Sequence, residues 1–217
     1  VITEKSARCT AYHEAGHALV GTLTKGALPI HKATIMPRGS SLGMVTQLPN
    51  EDYELHQTRQ EMLARMDVCM GGRVAEELIF GPDEVSSGAS ADIQYATTIA
   101  RNMVTKWGFS EEVGIVNHGG DNGQEASGAT RAKIDREVRK LTDASYKRAT
   151  ELLKKHSREH KLLAETLIEY ETLTGDEVRD LVLKGKKPDR SPLHNPKDGK
   201  GGRNTEKIDL GSKDGGK

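Results

Sequence analysis

Thr10-Ala-Tyr-His-Glu-Ala-Gly-His-Ala-Leu-Val-Gly-Thr-Leu-Thr-Lys25 decides the reading of this chain. Ala15, Ala18, Leu19 and Leu23 recur at helical spacing and Gly26 supplies a stop, so residues 10–25 are predicted to form a helix. On that helix His13 and His17 are separated by about 40° of rotation and stack on one face, where both imidazoles can reach one metal ion. Glu14 lies beside that face, placed to take a proton from water held by the ion. His-Glu-x-x-His on a helix is the working pattern of a zinc peptidase, and random ordering of this composition would produce it roughly 0.03 times. Gly16, inside the motif, costs a helix up to ~1 kcal/mol relative to Ala. Close approach of another backbone would explain its presence.

Catalytic zinc usually takes three protein ligands and leaves the fourth position to water. A third histidine six residues past His17 is excluded, because an extended motif would need Gly at Val20 and His at Leu23. The candidates are His31, His56, Glu76, Glu77, Asp92 and His118. Spacing favours a carboxylate from a later helix, which leaves Glu76, Glu77 and Asp92 and does not choose among them. Glu76 and Glu77 sit in an otherwise apolar helix, where one can be buried beside the metal and the other exposed. Asp92 reads equally well as a first-turn acid favoured by a helix dipole.

Outward from the motif, residues 30–36 and 42–48 are predicted to form two short strands joined by Pro37-Arg38-Gly39-Ser40-Ser41, the only sheet expected. Residues 58–70 read as a helix broken at Gly71-Gly72, and residues 73–80 as another, ended by Gly81-Pro82. Ser90 is predicted to cap a helix over 91–107, with Ile93, Ala96, Ala100, Met103 and Trp107 on one side. After a polar loop at 117–129, residues 130–156 and 157–170 supply long amphipathic helices. Thr174-Gly-Asp-Glu177 is a capping box opening a last short one. The fold class is mainly α, with a small β-hairpin beside the metal-binding helix.

Lys+Arg and Asp+Glu both number 32, which argues against a nucleic-acid binder driven by global charge. No apolar run approaches the ~18 residues that cross a bilayer. The polar start, without an initiator Met, is expected to lie inside a longer protein. Cys9 and Cys69 lack a C-x-x-C spacing and read as packed thiols. From residue 185 onward the chain is rich in Gly and Lys, with only Leu193, Ile208 and Leu210 as sizeable apolar groups. That composition predicts a folded domain over 1–184 and a disordered tail over 185–217.

Six segments carry a family resemblance: Ala11-Tyr-His-Glu-Ala-Gly-His17, Ile35-Met-Pro-Arg-Gly39, Leu42-Gly-Met-Val45, Gly71-Gly-Arg-Val-Ala-Glu-Glu-Leu-Ile-Phe-Gly81, Ser87-Gly-Ala-Ser-Ala-Asp92 and Met103-Val-Thr-Lys-Trp-Gly108. In this order they resemble the FtsH family of ATP-dependent zinc metalloproteases, over about residues 6–184. The resemblance implies His13, His17 and Asp92 as ligands of one Zn2+ per chain and Glu14 as the base. It places Glu76 and Glu77 behind the metal as supporting or structural acids. Ala91 departs from the Asn or Ser of many relatives, which touches the helix start more than the metal. Leu42, Gly43, Met44 and Val45 become the strand beside which extended substrate adds, since backbone pairing recognises any sequence.

The family also implies unfolded polypeptide as substrate, a homo-hexamer, and a membrane anchor and ATP-using AAA module in the full-length protein. No Gly-x-x-x-x-Gly-Lys-[Ser/Thr] loop occurs here, so the chain resembles the isolated, soluble proteolytic module, with no nucleic-acid partner. Asp67-Val-Cys-Met-Gly-Gly72 and Ala33-Thr-Ile-Met-Pro-Arg-Gly39 look closest to members of the mitochondrial inner membrane, with plant plastids as the alternative. A non-catalytic helical interaction module and a zinc hydrolase of small molecules are the rival classes. Neither accounts for the segments beyond the metal site.

Overall fold

The computed structural model describes residues 3–49, 56–119 and 126–193. Its first element, α1 (Glu4–Leu23), is capped by Thr3, whose side chain accepts from the Ser6 backbone N–H. It therefore begins six residues before the predicted start, because a polar first turn carries no apolar periodicity to announce it. Every residue from Ala11 to Gly21 is buried, so α1 is a central helix surrounded by the rest of the domain. Polar groups in such a helix must find partners, and His13, Glu14 and His17 all lie in this buried stretch.

Strands β1 (Ile30–Thr34) and β2 (Met44–Gln47) pair antiparallel, as predicted but shorter. The expectation of a two-stranded sheet is corrected by β3 (Thr172–Thr174), which pairs antiparallel with the other side of β1. The order is β2-β1-β3, which leaves β2 as an edge. Three residues ahead of a capping box carry too little alternation to register as a strand.

Helix α2 (Arg59–Phe80) corrects a second expectation, since it runs unbroken through Gly71 and Gly72. The glycines are there for contact. A Cβ built on Gly16 would lie 2.4 Å from the Gly71 carbonyl oxygen, and one on Gly71 would lie 2.7 Å from the Gly16 oxygen. The backbones of α1 and α2 touch at this point, and the helix propensity lost to glycine is offset by packing that no larger residue permits. Thr58 and Glu61 close a capping box at the start of α2.

Helix α3 (Ser90–Thr105) follows two 3-10 turns, Pro82–Glu84 and Ser87–Ala89. Ser90 is its first residue rather than its cap, and Ala89 at the N-cap makes no side-chain bond. Ala96, Ala100 and Met103 are buried as expected, whereas Ile93 and Trp107 are exposed. Helices α4 (Gly128–Lys155) and α5 (Ser157–Tyr170) follow, and α6 (Gly175–Lys184) opens on the predicted capping box of Thr174 and Glu177. Helix α1 packs mainly on α2 and α5, and α2 packs in turn on α3 and α4.

Beyond α6, the part of the expected tail that is described is tied down. Lys187 reaches Glu169, while Arg190 bonds Glu177 and the Thr172 carbonyl and lies over the Tyr170 ring. Residues 194–217 of that tail, and residues 120–125 of the polar loop, lie outside the described residues.

Helix α2 is held from behind by a charged clamp. Arg148 donates to both oxygens of Asp67 at 2.8 Å, and Ser145 Oγ donates to Oδ1 at 2.6 Å. Asp67 is buried, so Arg148→Ala would leave a charge inside the domain with one partner. We expect a loss of about 2 kcal/mol, read as a lower urea midpoint with unchanged slope. A midpoint equal to the parent's would remove the clamp's importance.

Candidate metal centre

The one-face geometry of the motif is realised inside the core. His13, Glu14 and His17 are 9%, 7% and 7% exposed. His17 Nδ1 lies 2.6 Å from the Val68 carbonyl oxygen, which can only accept, so Nδ1 carries the proton. His13 Nδ1 lies 2.6 Å from Glu76 Oε1. Burial works against the Glu76 charge, but its bonds to His13 and Ser86 outweigh that and hold its pKa below the ordinary value, so Glu76 accepts and His13 Nδ1 donates.

With both Nδ1 atoms protonated, neutral rings present bare lone pairs at Nε2. These two atoms are 3.0 Å apart. Asp92 Oδ2 lies 3.4 Å from the first and 3.3 Å from the second. Three acceptors thus face one another with no donor among them, which is unfavourable unless a cation or an added proton lies between. A tetrahedral zinc with bonds of about 2.0–2.1 Å puts its ligand atoms roughly 3.3 Å apart, and the three observed separations match that spacing.

The electrostatics point the same way. Burial opposes charge on His13, yet hydrogen bonds to Asp92 and Glu76 prevail and raise its pKa to about 9. Burial likewise opposes the Asp92 charge, and bonds to His13 and His17 hold its carboxyl far below the carboxylate range. The cluster attracts positive charge at neutral pH. Glu14 differs: burial dominates and pushes its pKa up, with His17 and His13 opposing. A carboxylate so raised is a stronger base than an exposed one.

Of the three acids that spacing left open, the structure brings Asp92 to the Nε2 side of both rings and Glu76 to the Nδ1 side of His13. Glu77 stands apart, accepting from the Tyr146 hydroxyl at 2.7 Å. Gly43 lies against Glu14, where a Cβ would sit 2.8 Å from Oε1. Leu42 and Met44 are exposed and Val45 is half-buried, with Met44 and Val45 in the edge strand.

Two cavities flank the motif. One, of about 360 Å³, runs past Cys9, Thr10, His13 and Glu14 toward Ser41, Leu42, Ser86 and Gly88. The other, of about 370 Å³, is lined by Met44, Val45, Cys69, Asp92 and Tyr95. Sequence reasoning missed the Val68 carbonyl, which has no side-chain signature, and Ser86, which bonds Glu76. It also missed Tyr95, which follows Asp92 by one turn and lies 5.1 Å under the Arg65 guanidinium. Spacing from Asp92 was the available signal for Tyr95.

A core helix presenting two histidines and a base, a carboxylate arriving from a later helix, and an edge strand alongside define a metallopeptidase domain. The chain belongs to peptidase family M41, whose model matches residues 1–181. It is 52% identical over 186 residues to the ATP-dependent zinc metalloprotease YME1L1 of Mus musculus, a match covering 86% of this chain and 26% of the relative. It is 51% identical over 182 residues to ATP-dependent zinc metalloprotease FTSH 11, chloroplastic/mitochondrial, of Arabidopsis thaliana, covering 84% and 22%. With ATP-dependent zinc metalloprotease FtsH of Rickettsia felis it shares 49% over 189 residues, covering 83% and 30%. The chain spans about a quarter of the length of the relatives it matches. Among the described residues, no helix is long and apolar enough to cross a membrane.

Proposed function

We propose that this chain is the proteolytic module of a membrane-anchored ATP-dependent protease, hydrolysing peptide bonds in unfolded or damaged polypeptide. One observation carries the reading: the His13 and His17 Nε2 atoms and Asp92 Oδ2 converge at ligand spacing, with a buried, basic Glu14 next to them. His13, His17 and Asp92 would hold one Zn2+ per chain. When bound there, zinc would supply Lewis acidity, able to polarise a scissile carbonyl and to ease deprotonation of water near pH 7.

Glu14 takes the proton from that water on a carboxylate oxygen and passes it to the leaving amine nitrogen, so no covalent enzyme intermediate is needed. Glu76 and the Val68 carbonyl keep both imidazoles turned with Nε2 toward the centre. Leu42, Gly43, Met44 and Val45 guide extended substrate past Glu14, because β2 is an edge with backbone groups open to pairing. Arg190 occupies the Thr172 carbonyl at the opposite edge, which favours β2 as the acceptor. Glu77, bonded to Tyr146, is structural. The full-length protein would be a homo-hexamer fed by its own ATPase module. Two plant relatives are named chloroplastic/mitochondrial, which supports an organellar location; the mitochondrial inner membrane is the one proposed, with the plastid as alternative.

Cleavage of an unfolded protein such as casein, abolished by a chelator and restored by zinc, tests the activity. Resistance of unfolded chains together with hydrolysis of small substrates would favour the other zinc-hydrolase class. Asp92→Ala is expected to weaken zinc by more than about 100-fold while His13 and His17 remain, since losing a ligand costs more than losing the partner behind one. Zinc competition against a chelator reads this out, and unchanged affinity would return Glu76 or Glu77 to consideration.

A further inference from the structure

We infer that Ser86 is a positioning residue of the metal centre, locking the carboxylate behind His13 to the turn that carries Asp92 into place. The inference rests on the metal-binding reading above. Glu76 is 1% exposed, and its two oxygens are divided between two tasks. Oε1 accepts from His13 Nδ1 at 2.6 Å and from Ser86 Oγ at 3.0 Å. Oε2 accepts from the Ser86 backbone N–H at 2.7 Å. Two donors from one residue fix the carboxylate plane, and with it the direction in which Oε1 meets the imidazole.

The Ser86 hydroxyl is itself oriented. Its oxygen accepts from the Gly88 backbone N–H at 3.1 Å, so its single hydrogen is left to point at Glu76. That same bond caps the 3-10 turn Ser87–Ala89, which passes directly into α3 and reaches Asp92 in the first turn. Ser86 therefore touches both arms of the site: the carboxylate that backs His13 and the turn that delivers Asp92. Loss of the hydroxyl loosens both at once, while the Ser86 backbone N–H still holds Glu76 Oε2. The fold loses little, because Ser86 is exposed and sits in a loop. Its extended backbone, φ −85° and ψ 167°, suits threonine equally well.

The test compares the full chain with Ser86→Ala and Ser86→Thr by zinc competition against a chelator, alongside thermal melts of the metal-free proteins. We expect Ser86→Ala to bind zinc about 3- to 10-fold more weakly, since a bond one step beyond the ligand's own partner is worth less than that partner. Ser86→Thr should restore parent affinity, and the three metal-free melts should coincide. Parent-like affinity in Ser86→Ala overturns the inference, as does equal weakness in Ser86→Thr. A metal-free melt that falls in step with affinity marks a structural residue and overturns it too. A parent chain that takes up no zinc defeats the metal reading itself, a result distinct from any difference among the variants.

Discussion

Glu14→Gln retains zinc at parent stoichiometry and loses cleavage by about 10²- to 10⁴-fold, the range that general acid–base catalysis contributes. The amide has the shape of the carboxylate and fills the same space against Gly43, so the helix and the histidines keep their places. It cannot take a proton from water at neutral pH. Metal analysis beside a casein assay separates these effects, and full activity in the variant would end the role given to Glu14. The variant also carries a pH signature. Burial raises the Glu14 pKa above 4.5 in the metal-free protein, and only the ionised form is a base, so parent cleavage falls as acid protonates the carboxylate. The residual rate of Glu14→Gln lacks this acid limb.

The same shift predicts an opposite change in stability. A folded-state pKa above the unfolded one means that the native protein holds the proton more tightly. Stability is then lost as pH rises from the unfolded value through the folded one, and it stays lost at neutral pH. Glutamine has no charge to desolvate, so the metal-free variant should melt above the metal-free parent at pH 7. Higher stability with less activity is the usual trade at a working site. A lower melt would show that the Glu14 charge is compensated by its neighbours.

What the sequence disclosed follows a physical division. The His13–His17 stacking and the Thr174–Glu177 capping box depend on neighbours three or four residues away, and both were legible. Strand β3 was not, because Thr172, Leu173 and Thr174 become a strand only by meeting β1, more than a hundred residues distant. The choice between Asp92 and Glu76 belongs to the same class. Both are acids on later helices, and the difference lies in which edge of an imidazole each one meets. Family resemblance supplied Asp92 in advance; spacing could not. Arg190 falls in the stretch whose composition predicts a disordered tail, because composition counts its charge and does not see Glu177 and Tyr170 waiting for it.

Gly71-Gly72 is the instructive misreading, since glycine in a helix reads as a break unless something nearby forbids a side chain. The two positions forbid it for different reasons, which sets up the second large effect. Gly71 faces backbone: its added Cβ would lie 2.7 Å from the Gly16 carbonyl oxygen. Gly71→Ala should therefore push α1 and α2 apart at a cost of about 1–3 kcal/mol, the usual range for overpacking. Gly72 faces the site instead. A Cβ there would lie 2.5 Å from His13 Nε2 and from His17 Nε2. Neither ring can tilt away without giving up its 2.6 Å bond to Glu76 or Val68. Gly72→Ala is thus expected to displace two ligands together, lowering zinc affinity by more than about 100-fold and removing cleavage with it. Its metal-free melt should stay closer to the parent's than that of Gly71→Ala, because the clash is relieved at two side chains and not between two backbones. Chelator competition and melts on both variants separate the effects. Stoichiometric, tightly held zinc in Gly72→Ala would mean that the imidazoles have another way to meet the ion.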